Sequence, residues 1–446
     1  MTLTSDPTIY QRPAEIAQAL IRFDTTNPPG NEAACIGYIQ QLLADAGIPV
    51  TILARDPARP NLIARLPGQG TAPPLLLQGH IDVVNTANQP WQHPPFAGEV
   101  IDGYLWGRGA LDMKGGVAMM LAAMLRARAE GQALAGDVVL ACVSDEENFG
   151  EYGAGFLVAE HPDLFAGIRY ALGEFGGFPF YLGGRRFYPI MVAEKQSCRV
   201  TATVRGPAGH GSRPMRGGAM ARLARMLTTL DTHRLPVHIT PVGRLMIEEM
   251  AAALPEPLNA VLPALLDPAQ TDALLDRMGP EALGFDPLLH NTVNATIVHG
   301  GTQTNVIPSK IVVEMDGRTL PGFSGADLQA ELVALLGDEV EIEVQAEPPA
   351  AATPDMGLFP TLSAILREAD PEALPIPYML PAVTDGRYFT RLGIQTYGFL
   401  PMNLPEDFDF YASIHAADER VPVAALDFGA DAIYKVLQRF GAAENR

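Results

Sequence analysis

The stretch Leu75–Val84, LLLQGHIDVV, decides how the rest of the chain is read. Its opening residues are apolar on consecutive positions instead of alternating, the pattern of a strand buried on both faces of a parallel sheet. It closes on His80, with Asp82 two residues on. Open α/β sheets hold ligands at the carboxyl ends of parallel strands. A His-x-Asp pair lets an imidazole bind metal while the carboxylate orients it from behind. A histidine merely satisfied in a loop gives the same pattern.

Outward from this strand, the upstream chain shows two helical patterns between Ala14 and Ala46, split by the loop NPPGNE (Asn27–Glu32). Short strands follow at Val50–Leu53 and Asn61–Leu66. Downstream come a helix over about Gly116–Glu130 and an apolar strand at Asp137–Val143. Strand, helix, strand in this order implies a right-handed crossover and an α/β sheet. After about Val192 the texture changes. SCRVTATVRG (197–206) alternates like a half-exposed strand, a helix follows over Gly218–Thr229, and residues 293–299 and 311–316 alternate again. A helix over 325–336 and a strand over 339–345 complete a β-α-β-β-α-β order. EPPAAATP (Glu347–Pro354) marks a boundary, beyond which helix, strand and final helix restore the first texture. The expected fold class is therefore α/β. A mixed sheet flanked by helices spans residues 1–193 and 351–446, and a smaller α+β, ferredoxin-like domain is inserted at 194–350.

Composition limits the function classes. At about 150 residues per domain, 446 residues suggest two or three domains. With 48% hydrophobic and 18% charged residues the chain can build a packed core and is not a disordered one. Its 31 basic and 51 acidic residues give a net charge of −20, which argues against nucleic-acid and anionic-membrane binding. Cys35, Cys142 and Cys198 are odd in number and dispersed, so they form neither a disulfide framework nor a thiolate zinc site. MTLTSDPTIYQRP lacks a basic stretch followed by an apolar one, and the Ala/Met-rich run Val117–Leu125 is too short to span a bilayer. These features predict a cytoplasmic protein.

Acids and imidazoles collect at a few places. Asp112 lies in LWGRGALDMKGG (Leu105–Gly116), where the lysine precedes Gly instead of Ser or Thr and the glycine spacing is not that of a phosphate loop. Glu146 and Glu147 follow a strand in VSDEENFGEYG, where adjacent acids repel unless a cation joins them or water screens them. Glu174 ends another short strand in YALGEFGG. His415 stands in SIHAADERVP, which is not the HExxH signature. His210 lies in the glycine-flanked loop RGPAGHGSRP, which could carry an imidazole to a remote site. His93, His161, His233, His238, His290 and His299 show no acidic partner at an evident spacing and read as structural or solvated. Together the chain offers two histidines, one aspartate and two glutamates as ligands, with one glutamate left over. That nitrogen and oxygen donor set suits zinc, cobalt or manganese better than calcium.

The segments GHIDVV, WGRGALDMKGG, SDEENFG, ALGEFGG, GPAGHGSRP, GGTQTNVIPS, DGRTLPG, TDGRYF and IHAADERV span most of the chain. In that order they resemble the M20 family of metallopeptidases and amidohydrolases, with its carboxypeptidases, aminoacylases, acetylornithine deacetylase and succinyl-diaminopimelate desuccinylase. The resemblance implies two zinc ions sharing Asp112 and a water, one completed by His80 and Glu174, the other by Glu147 and His415. It makes Asp82 the residue that orients His80 and Glu146 the general base. It implies that the inserted domain is a lid through which the chain forms a homodimer, with His210 completing the neighbouring subunit's oxyanion site. Asn305 would contact substrate from the lid and Arg387 would grip a free carboxylate; Arg318 is ambiguous. Gln196, Phe175, Ala382 and Val383 depart from the family's usual residues around the pocket and hinge. The expected substrate is an N-acyl amino acid or short peptide cut beside a free carboxylate. A biosynthetic deacetylase or desuccinylase is the alternative, and a non-catalytic, metal-stabilised dimeric scaffold the remote one.

Overall fold

Six consecutive buried positions place Leu75–His80 in the middle of a nine-stranded sheet. The structure, a computed structural model, describes residues 6–279 and 284–441. The strand runs parallel to Val138–Val143 on one side and to Tyr170–Gly173 on the other. Gln395–Gly398 adds a further parallel strand beside Tyr170–Gly173. Val50–Leu53 and Asn61–Leu66 extend one flank antiparallel, at the bounds read from their apolar residues. Arg185–Glu194 and Leu374–Leu380 close the other flank, so the sheet is mixed.

The helix expected after Asp112 runs from Lys114 to Ala129 and is buried on nearly every side. A helix apolar all round must be enclosed. Here Pro13–Ile21 and Val423–Arg439 pack against it. Gly115 is required by close approach, since a Cβ there would lie 2.1 Å from the Ala110 carbonyl oxygen. Among the described residues no helix is long and apolar enough to cross a membrane. Cys35, Cys142 and Cys198 are buried free thiols.

The contacts divide the chain into two compact units. One comprises the chain up to Val192, Asp355–Tyr378 and the chain from Thr384; the other comprises Ala193–Pro354 and Met379–Val383. In the second unit Gln196–Arg205 pairs antiparallel with Lys310–Thr319 and with Val340–Ala346. Thr292–Gly300 pairs antiparallel on Lys310–Thr319 and forms one edge, with Val340–Ala346 at the other. The helices Ala219–Thr232 and Gly325–Leu336 pack on this sheet around Val200, Ala202, Val313 and Leu328. Ser324 and Asp327 cap the second helix reciprocally. Residues 233–291 carry helices that the strand patterns left unassigned, among them Pro241–Ala253 and Thr271–Met278. Val242, Met246, Ile247 and Met250 do follow helical spacing there, but prolines cut the segment into short pieces.

Candidate metal centre

Three parallel strands end together, and each hands a donor to the same edge of the sheet. His80 is the register partner of Val143, after which the chain reaches Glu146 and Glu147. Tyr170–Gly173 is followed at once by the buried Glu174. Asp112 comes from the loop before the enclosed helix, and His415 from the loop after Phe410–Ser413. The loop carrying both glutamates folds tightly because Gly153 has no side chain; a Cβ there would sit 1.8 Å from the Ser144 carbonyl oxygen.

The carboxylate of Asp112 lies between two imidazoles. Its Oδ1 is 3.0 Å from His80 Nε2 and its Oδ2 is 3.1 Å from His415 Nε2. Each imidazole has its own glutamate: Glu174 Oε2 is 3.5 Å from His80 Nε2, and Glu147 Oε2 is 3.3 Å from His415 Nε2. His80–Glu146–Glu174 and His80–Asp112–Glu147 each bring one donor atom per residue within 4.8 Å of one another. Glu146 thus stands among the donors as well as beside them. His80 Nδ1 is nearest the backbone carbonyl of Asp82 at 3.0 Å, with the Asp82 carboxylate at 3.5 Å. That carboxylate accepts the backbone N–H groups of Glu146 and Glu147 at 3.1 and 3.2 Å and an amide hydrogen of Asn27 at 2.8 Å. Asn27 also donates to Asp145, which Arg59 joins by a buried ion pair at 2.7 Å.

This crowding has an electrostatic signature. Burial, with Asp112 and Asp385 nearby, pushes the Glu174 carboxyl up to about 8. Burial and the charge of Glu174 hold Glu146 well above the usual carboxylate range. Hydrogen bonds to Asp112 and Glu147 push the His415 imidazole up to about 10. Burial opposes charge on His80, but Asp112, Asp82 and Glu174 outweigh it and raise its pKa well above the ordinary value. Acids and imidazoles so placed retain protons to limit mutual repulsion, and divalent cations satisfy the same donors while displacing those protons. The donor set fits such cations in a second respect: buried Glu147 Oε1 has no hydrogen-bond partner among the described residues.

The remaining predicted residues fall in two places. Arg387 donates from Nη2 to the carbonyl of Phe149, two residues beyond Glu147, at 3.0 Å. His210 and Asn305 lie in the second unit, near each other. His210 pairs with Val306, and Gly211 N–H donates to the Asn305 carbonyl at 2.7 Å. The His210 ring is exposed and its Nδ1 is 2.8 Å from Ser212 Oγ. Arg318 spends two donors on Asp316. The expectation that the other histidines have no acidic partner at an evident spacing needs correction at His290. His290 is 2.9 Å from Asp286 and 3.1 Å from Asp272, and His238 is 2.7 Å from Glu331. The Asp286–His290 spacing is one helical turn and was visible; Glu331 is brought by tertiary folding. Asp385 was overlooked beside Arg387 in TDGRYF. It is buried, both its oxygens lack a partner among the described residues, and burial pushes its carboxyl up to about 7.

Known proteins resemble this chain along most of its length. The human N-fatty-acyl-amino acid synthase/hydrolase PM20D1 is 27% identical over 392 residues, which is 83% of this chain and 75% of that protein. A succinyl-diaminopimelate desuccinylase of Methylorubrum populi is 29% identical over 447 residues, covering 96% of this chain and 98% of the relative. The M20 family metallo-carboxypeptidase Sso-CP2 from Sulfolobus solfataricus has the same fold, with a TM-score of 0.69 at 17% identity over 96% of this chain and 99% of that one. The sequence profile of peptidase family M20/M25/M40 matches residues 76–439. The chain therefore belongs to that family and is a hydrolase acting on amide bonds.

Proposed function

We propose that the chain is a two-metal hydrolase that cleaves a peptide or N-acyl amide bond beside a free carboxylate. The observation that carries this reading is the Asp112 carboxylate, shared between His80 and His415, each with its own glutamate. His80, Asp112 and Glu174 would hold one cation, and Asp112, Glu147 and His415 the other. Zinc fits these donors, as do cobalt and manganese. Such a pair of cations supplies Lewis acidity to the scissile carbonyl and lowers the pKa of a water.

The chain's own residues do the rest. Glu146 takes the proton of the attacking water at its carboxylate and passes it to the leaving amine. Asp82, by accepting both backbone N–H groups of the Glu146–Glu147 pair, fixes where each carboxylate starts. Arg387 binds the substrate carboxylate by two parallel hydrogen bonds. The second unit, with its β-α-β-β-α-β order, is a ferredoxin-like inserted domain that serves as lid and dimer interface. From it Asn305 contacts substrate and His210 completes the oxyanion site of the neighbouring subunit. The exposed edge strand Thr292–Gly300 supports the homodimer.

Chelation should abolish turnover, and zinc or cobalt should restore it. Glu146→Ala separates the two roles open to that residue. Loss of a base lowers kcat by about 10²- to 10⁴-fold with metal content intact, whereas loss of a ligand lowers the metal content itself. Full activity in this variant would remove Glu146 from the mechanism. A panel of N-acyl amino acids, dipeptides and N-succinyl-diaminopimelate, at defined metal loading, distinguishes the main reading from a biosynthetic deacylase. The full-length match to a desuccinylase favours keeping the latter in the panel. A fully metal-loaded chain inert across the panel would leave the scaffold reading.

A further inference from the structure

His80 and His415 are held in very different ways. The His80 side chain is 1% exposed and is fixed by packing, whereas that of His415 is 49% exposed. His415 also has a left-handed backbone, with φ of 60°. A non-glycine residue stays in that region only where its surroundings hold it there.

The hold comes from Gln89. Its Nε2 donates to the His415 carbonyl at 2.8 Å, while its Oε1 accepts from Arg108 Nη2 at 2.8 Å and from Trp91 Nε1 at 3.1 Å. Arg108 donates through its other nitrogen to the fully buried Glu419. Glu419 in turn accepts the backbone N–H groups of Gly109, Leu111 and Asp112 at 3.2, 2.8 and 3.2 Å. A continuous path therefore runs from the His415 backbone through Gln89, Arg108 and Glu419 to the Asp112 backbone. It joins the two loops whose side chains meet at 3.1 Å. A second tie, Gln92 N–H to Asp418 Oδ1 at 2.8 Å, secures the next left-handed residue of the same loop and leaves His415 to Gln89.

We propose that Gln89 is a positioning residue for the second cation, setting the His415 imidazole against Asp112 and Glu147 through its hydrogen bond to the His415 carbonyl. The inference rests on the two-metal reading above. Partners behind a metal ligand typically contribute about 10- to 100-fold in metal affinity. His80 and Glu174 do not depend on this path, and the shared Asp112 keeps its own tie to Glu419 when Gln89 is removed, so the effect falls on the cation that His415 holds.

The test is calorimetric titration of the full, chelator-stripped chain with cobalt(II), with the visible cobalt spectrum recorded alongside. The unaltered chain should take up two equivalents. Gln89→Ala should weaken one of them about 10- to 100-fold and leave the other within twofold. Gln89→Glu keeps an acceptor for Arg108 and Trp91 but has no hydrogen to give the His415 carbonyl, so it should weaken the same equivalent. Both metal-free variants should melt with the metal-free parent. Unchanged second-site affinity in either variant overturns the proposal. Equal weakening of both sites, or loss of the metal-free fold, makes Gln89 a structural residue and overturns it as well. Fewer than two equivalents in the unaltered chain overturns the two-metal reading, and this inference falls with it.

Discussion

A carboxylate that offers one oxygen to each of two imidazoles has to be aimed, and the aiming groups lie behind the donors. Arg59 is one of them on the Glu146–Glu147 side. It is 5% exposed and reaches Glu32 and Asp145, each at 2.7 Å. Asp145 is bound through Asn27 to Asp82, which carries the backbone of both glutamates. Removing one partner of a buried ion pair strands the other charge, at a cost of about 3–5 kcal/mol. Arg59→Met should therefore destabilise the chain by that amount in urea denaturation, and adding Glu32→Gln should return part of it. A loss below about 1 kcal/mol would mean that these charges are solvated in solution. The contrast with the donors is instructive. His80, Asp112, Glu147, Glu174 and His415 stand in short motifs whose residue types announce metal chemistry. Arg59, Glu32 and Gln89 do not, because an arginine 86 residues from its aspartate, or a glutamine 326 residues from the carbonyl that it binds, leaves no local trace.

At the scale of elements, the strands were legible because burial on both faces and alternation are different patterns. Leu75–His80 shows the first and Gln196–Arg205 the second. Residues 233–291 were legible only in part: Val242, Met246, Ile247 and Met250 keep helical spacing, but the shorter helices between prolines carry too few turns to display a period. Lys195, at the start of Gln196–Arg205, shows what such packing does to a charge. It is fully buried, and its Nζ donates to the His290 carbonyl at 2.8 Å and to Thr292 Oγ1 at 2.9 Å. Burial foremost, and then the charge of Arg318, lower its pKa from 10.5 to about 7. Between these values the unfolded chain binds a proton that the folded one does not, so stability rises with pH across that window. The contribution approaches about 1.4 kcal/mol per pH unit and is absent below pH 7, where both states are charged. Lys195→Met should therefore lose stability relative to the parent as pH is raised from 7 to 10. Parallel stability curves for the two proteins over that range would place Lys195 in contact with water.

For the whole molecule, the homodimer proposed above has to form from a chain of net charge −20. Long-range repulsion opposes association, so attraction has to be local and directional. The edge strand Thr292–Gly300 has that character. It pairs on one side only and is exposed along most of its length, with Ile297 47% and Val298 51% exposed. An exposed edge of this kind, although its register shifts between Ala295 and Ile297, is a template for another strand. Pairing with the same strand of a second copy across a two-fold axis closes the assembly at two, because each copy then spends that edge on the other. Charge placed on the edge should prevent it, which is how edge strands are ordinarily kept apart. Ile297→Lys with Val298→Lys should convert the proposed dimer to a monomer in light scattering. Both side chains are outside the core, so the far-ultraviolet circular dichroism should not change. Since His210 is proposed to act in the neighbouring subunit, the monomer should also lose turnover while keeping both metal equivalents. A monomer with full activity would confine catalysis to one subunit, and a variant that stays dimeric would move the interface to another face.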